Sequence, residues 1–121
     1  MCFLNNKLER YRQIITQLLQ HYADMPYSNE GKMKEDELEE QLIIDTKNDH
    51  YQILTIGWEG SQRVYYPVFH IDIKNDKVWV QEDATDSDLV GQLEESGVDK
   101  SDIVLAFHAP YKRPYTGYAV S

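Results

Sequence analysis

QLIIDTKNDHYQILTIGWEGSQRVYYPVFHIDIKNDKVWVQE, residues 41–82, decides how the chain folds. It holds four apolar runs of strand length, rich in Ile, Val, Tyr and Trp, each bounded by Asn, Asp, Gly or Ser. β-Branched and aromatic side chains suit a pleated surface and the bounding types suit tight turns, so the stretch reads as an antiparallel meander. The last hairpin is the clearest. Asn75 and Asp76 both tolerate positive φ and sit at the centre of a two-residue turn between Lys74 and Lys77. That register predicts Ile73 opposite Val78 and Ile71 opposite Val80 on one face, with Asp72 opposite Trp79 and His70 opposite Gln81 on the other.

Working back through the meander, a turn at Asn48-Asp49 predicts Ile44 opposite Ile53 and Ile43 opposite Leu54, after a first strand over about 42–46. Both faces of that pair are then apolar, which predicts a place near the centre of the sheet. Gly60-Ser61 closes the next hairpin and sets Arg63 beside Trp58 as a cation over a ring. Pro67 has no N–H to give to a ladder, so the long strand around it is expected to bulge.

Upstream, residues 3–23 predict an amphipathic helix. Leu4, Leu8, Tyr11, Ile15, Leu18 and Tyr22 recur in steps of four and three, with Ile14 and Leu19 widening the stripe. Such a helix spans roughly 30 Å at about 1.5 Å per residue, enough to cover the sheet, and Pro26 ends it. Tyr27 to Glu40 reads as a charged loop. Downstream, residues 85–96 predict a second helix with Thr85 as its cap, Leu89, Val90 and Leu93 facing inward, and Gly97 as its left-handed stop. IVLAF, residues 103–107, is a continuous apolar run and reads as a buried strand. The class is α+β: a mainly antiparallel sheet of a four-strand meander plus one further strand, with a long N-terminal and a short second helix on one face.

At 121 residues the chain reads as one domain, 1–121, able to bury about two thirds of its unfolded surface. The single cysteine, Cys2, cannot form an internal disulfide, and no apolar stretch reaches the length of a membrane span, so a reducing cytoplasm is the expected compartment. The net charge is −9, and seventeen of the twenty-one acids lie in residues 24–49 and 82–102. An acidic chain is repelled by phosphates at long range, which disfavours direct DNA binding. After Asp102 the chain has no acid at all. The tail, residues 108–121, instead carries His108, Tyr111, Lys112, Arg113, Tyr115 and Tyr118. Tyr and Arg are enriched at interface centres, so these six residues are the candidate partner-binding set, against the alternative that the tyrosines only pack back over the sheet edge. An edge strand or the tyrosines could also pair two copies of the chain.

For chemistry, the strongest candidate is His70-x-Asp72, two ligand-capable side chains on one face of a strand. A metal would want a third ligand, and nothing in the spacing of His50 or His108 brings either near. The chain has no Gly-rich phosphate loop, nucleophile elbow, CxxC or HExxH, and no cofactor is expected. The pair therefore reads as the polar face of a hairpin.

Four phrases in order, YRQIITQLLQHYADMPYSN, DHYQILTIGW, FHIDIKNDKVWVQED and VDKSDIVLAFHAPYKRPYTGYAV, resemble the XisI family, the fdxN element excision controlling factors of cyanobacteria. The resemblance runs from about Leu8 to the C-terminus, with a longer charged stretch at 31–40 than in the family. It implies a non-enzymatic accessory role in programmed DNA rearrangement during heterocyst development, exerted with an XisH-type companion protein on a site-specific recombinase. It brings no catalytic or cofactor residues. An alternative it leaves open is an antitoxin-like binder that restrains a nuclease-like companion. A hydrolase or metalloenzyme using His70 and Asp72 is the remaining reading.

Overall fold

Period-two alternation through the meander separates side chains that must be buried from those that need not be, and the tertiary structure follows that division. The computed structural model describes residues 6–24, 37–85 and 88–121. In chain order these form helix α1 (Asn6–Asp24), strands β1 (Glu37–Asp45), β2 (His50–Glu59), β3 (Gln62–Lys74) and β4 (Lys77–Asp83), helix α2 (Leu89–Ser96) and strand β5 (Ile103–Leu105). Short 3₁₀ segments lie before β5 at Lys100–Asp102 and after it at Pro110–Tyr115. The sheet order is β1-β2-β3-β4-β5. Neighbours are antiparallel except β5, which returns through α2 to lie parallel to β4. The fold is α+β, as the sequence predicts.

The core lies between one face of the sheet and both helices. Tyr11, Ile15 and Leu19 of α1 and Leu89 and Leu93 of α2 are fully buried against Tyr51, Ile53, Ile71, Val78, Val80 and Ile103. Each aliphatic side chain removed from water in this way contributes about 1.5–3 kcal/mol, and the α1 stripe packs chiefly on β1 and β2. Polar ties fix how the helix crosses. Arg12 grips Asp49 through Nε–Oδ1 at 2.8 Å and Nη2–Oδ2 at 3.1 Å. From the adjacent position, the Tyr11 hydroxyl donates to Asp102 Oδ2 at 2.6 Å and accepts from the Asp99 N–H at 3.3 Å.

Several expected details hold. Asn75 and Asp76 adopt φ of 54° and 64°, and Ile73–Val78, Asp72–Trp79 and Ile71–Val80 pair as predicted. Arg63 lies opposite Trp58 with its guanidinium 5.6 Å from the ring. The register of β2 against β3 slips beside Pro67, and both Val68 and Phe69 turn into the core. Gly97 closes α2 at φ 116°.

Other details differ, each for a local reason. Ile44 pairs with Tyr51 and Ile43 with Gln52, not with Ile53 and Leu54, because the turn has four residues. Asp45 sets that turn: its carboxylate accepts from the N–H of Lys47 and of Asn48, both at 3.0 Å, and Asp49 takes a φ of 61°. The slip is by two residues, so each side chain keeps its face. Strand β1 begins at Glu37, inside the stretch read as a loop, and it is an edge strand rather than a central one. Ile43 on its outer face is 37% exposed, so the apolar residues there mark an open face and not a buried strand. His70 pairs with Glu82 instead of Gln81, because β4 bulges between the partners of His70 and Ile71.

Helix α2 starts at Leu89 with Asp88 as its cap, whose Oδ1 accepts from the Gly91 N–H at 3.0 Å. Thr85 instead donates its own N–H and hydroxyl to Asp83. The strand in IVLAF stops at Leu105, and Phe107 emerges 48% exposed. Cys2, Leu4, Pro26 and all of the charged stretch before Glu37 lie outside the described residues.

Candidate functional site

Two regions gather chemistry-bearing side chains. The first is the tail. It runs beside β5, with Ala119 bridging to Val104 in parallel and its N–H donating to the Ile103 carbonyl at 2.8 Å. Arg113 anchors the turn. Its Nε donates to the His108 carbonyl at 3.0 Å and its Nη2 to the Ala106 carbonyl at 3.4 Å, while the guanidinium lies 5.5 Å from the Trp79 ring. This contact helps explain why Trp79 is only 8% exposed on the sheet face away from the helices. Tyr118 is also committed inward: its hydroxyl donates to Glu94 Oε2 at 2.9 Å, and Lys100 Nζ sits 5.0 Å from its ring. Burial, then that hydrogen bond, raises the Tyr118 phenol above its ordinary pKa.

The six candidate residues therefore divide. Arg113 and Tyr118 bind the domain's own chain, and His108 is half-buried with its ring 4.7 Å from that of Phe107. Tyr111, Lys112 and Tyr115 face solvent; Tyr111 is 72% and Tyr115 89% exposed. Beside them lies an open hollow of about 460 Å³ lined by Leu105, His108, Lys112, Tyr115 and Thr116. Tyrosines held this far out on a tied-down turn can enter a partner's surface with little loss of chain entropy.

The second region is on the outer face of β2 and β3. His50 stands opposite Asp72, with Nδ1 2.8 Å from Asp72 Oδ1. His70 approaches the same oxygen through Nε2 at 2.9 Å. Gln81 Nε2 donates to the other oxygen, Oδ2, at 3.2 Å. The hydrogen bond to Asp72 raises the His50 imidazole above its ordinary pKa, and the charges of Asp72, Asp45 and Asp49 act in the same direction. The i, i+2 spacing marks His70 and Asp72 but leaves out His50, which joins them only through the pairing of β2 with β3. The signal was available: counting back from the Gly60-Ser61 turn and allowing one extra residue for the bulge at Pro67 places His50 opposite Asp72. His108 stays with the tail.

A second hollow, of about 360 Å³, lies between α1 and the β1–β2 turn, lined by Glu9, Arg12, Gln13, Thr16, Gln17 and Thr46. Its one cation, Arg12, is already engaged by Asp49 and Glu9. Among the described residues no helix is long and apolar enough to cross a membrane.

Comparison with known proteins agrees with this architecture. A family model described as XisI protein matches residues 5–120. The crystal structure of a XisI-like protein from Anabaena variabilis is 41% identical, with a TM-score of 0.81, over 94% of this chain and 99% of that one. The crystal structure of fdxN element excision controlling factor XisI from the same organism is 33% identical, with a TM-score of 0.80, over 96% of this chain and all of that one (100%). No curated protein matches the chain. With the family model spanning nearly every residue, and with the helix-backed sheet shared along the full length of both crystal structures, the chain belongs to the XisI family.

Proposed function

We propose that this chain is a non-enzymatic accessory factor that controls excision of a DNA element by a site-specific recombinase, acting with an XisH-type companion protein. The observation that carries the reading is the contrast within the tail: Arg113 and Tyr118 fix its path while Tyr111 and Tyr115 stand 72% and 89% exposed. Large exposed aromatics on a fixed turn, next to a hollow able to receive a side chain, have the composition of an interface centre. The naming of a similar Anabaena protein as an excision controlling factor supports the biological setting. A net charge of −9 favours contact with a protein over direct contact with DNA.

The test is a titration of the purified companion with the wild-type chain and with Tyr111→Ala/Tyr115→Ala. Both positions are exposed, so the variant should melt with the wild type. Binding should weaken by at least about tenfold, the usual effect of losing a hot-spot aromatic. Equal affinity would remove the tail from the interface.

A second reading, in which the chain restrains a nuclease-like companion, is favoured by Glu37 and Glu39, exposed along the β1 edge. Acidic side chains there could occupy a basic nucleic-acid cleft. Glu37→Gln/Glu39→Gln would then slow association with the companion at low salt, which the tail reading does not require.

A further inference from the structure

Three side chains from adjacent strands meet on the outer face of the sheet. We propose that His50, His70 and Asp72 form a zinc site, with Gln81 as the positioning residue that holds the carboxylate. The argument begins with convergence. His50 Nδ1 and His70 Nε2 both point at a single oxygen, Asp72 Oδ1, from 2.8 Å and 2.9 Å. All three potential donor atoms lie within 4.8 Å of one another. Around tetrahedral zinc, ligand bonds of about 2.0–2.1 Å put donor atoms roughly 3.3 Å apart. The two edges at 2.8 Å and 2.9 Å must therefore open slightly around an ion, which small side-chain rotations supply.

The chemistry of the donors selects the metal. Two imidazoles and one carboxylate suit zinc, whereas calcium and magnesium want oxygen shells. Zinc has no electronic preference of geometry, which suits a site built on a fixed strand pair. In the metal-free hairpin each histidine can donate one N–H to Asp72. Binding requires the lone pairs to face inward instead, so each imidazole moves its proton to its other nitrogen. Both rings are partly exposed, at 53% and 30% of their side chains, so that nitrogen can find water.

The surroundings favour a cation. Asp45 lies across from His50 on β1 and Glu82 across from His70 on β4. Gln81, placed by the bulge in β4, donates to Asp72 Oδ2, so that Oδ1, the oxygen both histidines face, is the one presented as the ligand atom. An amide that orients a ligating carboxylate is a common outer partner of metal sites. The fourth position faces solvent and would hold water. This inference does not depend on the partner proposed above.

The test is calorimetric titration of the chelator-stripped full chain with zinc chloride in a non-coordinating buffer. One zinc per chain, at micromolar affinity or tighter, is expected. It should be lost in His50→Ala and in His70→Ala and kept in His21→Ala and His108→Ala. Gln81→Ala should weaken it on the order of tenfold, as loss of an outer-shell partner does. A second measurement needs no variant: imidazole nitrogen resonances followed by NMR as zinc is added. Shifts at His50 and His70 with none at His21 and His108 would support the site. Absence of binding up to millimolar zinc, shifts at other histidines, or affinity retained in His50→Ala/His70→Ala would overturn it.

Discussion

Replacing Arg12 with methionine keeps most of the side chain's apolar length and deletes the charge that ties α1 to the β1–β2 turn. In the wild type Arg12 makes two hydrogen bonds to Asp49, and the Tyr51 hydroxyl donates to the same carboxylate at 2.8 Å. The side chains of Arg12 and Asp49 are 22% and 14% exposed, between a surface pair and a buried one. Exposed pairs are worth about 0.2–1 kcal/mol, and breaking a buried pair costs about 3–5 kcal/mol. About 2 kcal/mol is therefore expected for Arg12→Met. With an unfolding entropy of about 2.1 cal/mol/K per residue over 121 residues, that corresponds to a fall in Tm of roughly 8 °C.

The pH dependence gives the sharper test. Burial pushes the Asp49 carboxyl up, but the hydrogen bonds from Arg12 and Tyr51 and the charge of Arg12 outweigh it, and the net pKa lies below the ordinary value. A depressed carboxylate contributes stability that is fully present above its unfolded pKa, about 3.9, and is lost as pH falls through the folded pKa. The wild-type advantage over Arg12→Met should thus be constant near neutrality and shrink below about pH 4. Urea melts at a series of pH values measure it, and a double-mutant cycle with Asp49→Asn should return a coupling of about 1–2 kcal/mol. A difference under about 0.5 kcal/mol at pH 7, or one that persists unchanged to about pH 2, would refute the ion pair's role and leave α1 held by its apolar stripe alone.

Gly57→Ala should destabilise by at least about 2 kcal/mol and loosen β1 in hydrogen exchange, because Gly57 has φ 142° and a Cβ there would lie 1.8 Å from the Glu37 carbonyl oxygen. Tyr11→Phe removes a hydroxyl that donates to Asp102 and accepts from Asp99, and should cost about 1.5–3 kcal/mol in denaturant melts. Burial and then the hydrogen bond to Asp102 push the Tyr11 phenol up to about 12, so ultraviolet titration should show a late-ionising phenol in the wild type that is missing from Tyr11→Phe. Asp76→Gly, at a φ of 64°, should stabilise the β3–β4 hairpin by about 0.5 kcal/mol, read as a higher urea midpoint.

Local chemistry carries most of the secondary structure. The Asn75-Asp76 turn, the Gly60-Ser61 turn with Arg63 over Trp58, the bulge at Pro67, the α1 stripe and the stop at Gly97 each follow from a residue's own steric and hydrogen-bonding preferences, and each is readable in a few neighbouring letters. The same is true of an acid-free tail, and the four distinctive phrases were enough to point to the family. Two of the departures share a cause. Asp45 caps a four-residue turn and Asp88 caps a shortened helix, where Asn48-Asp49 and Thr85 were equally good local candidates.

Tertiary structure decided what lies far apart in sequence. Which strand is the edge, which face is covered and where the tail returns depend on how α1 and the tail share the two faces of the sheet, and no short window encodes that. Packing turned Arg113 and Tyr118 into struts and left Tyr111 and Tyr115 exposed, though the three tyrosines are the same letter. It also brought His50 to Asp72 from 22 residues away, because a single bulge shifts every pairing beyond it by one place.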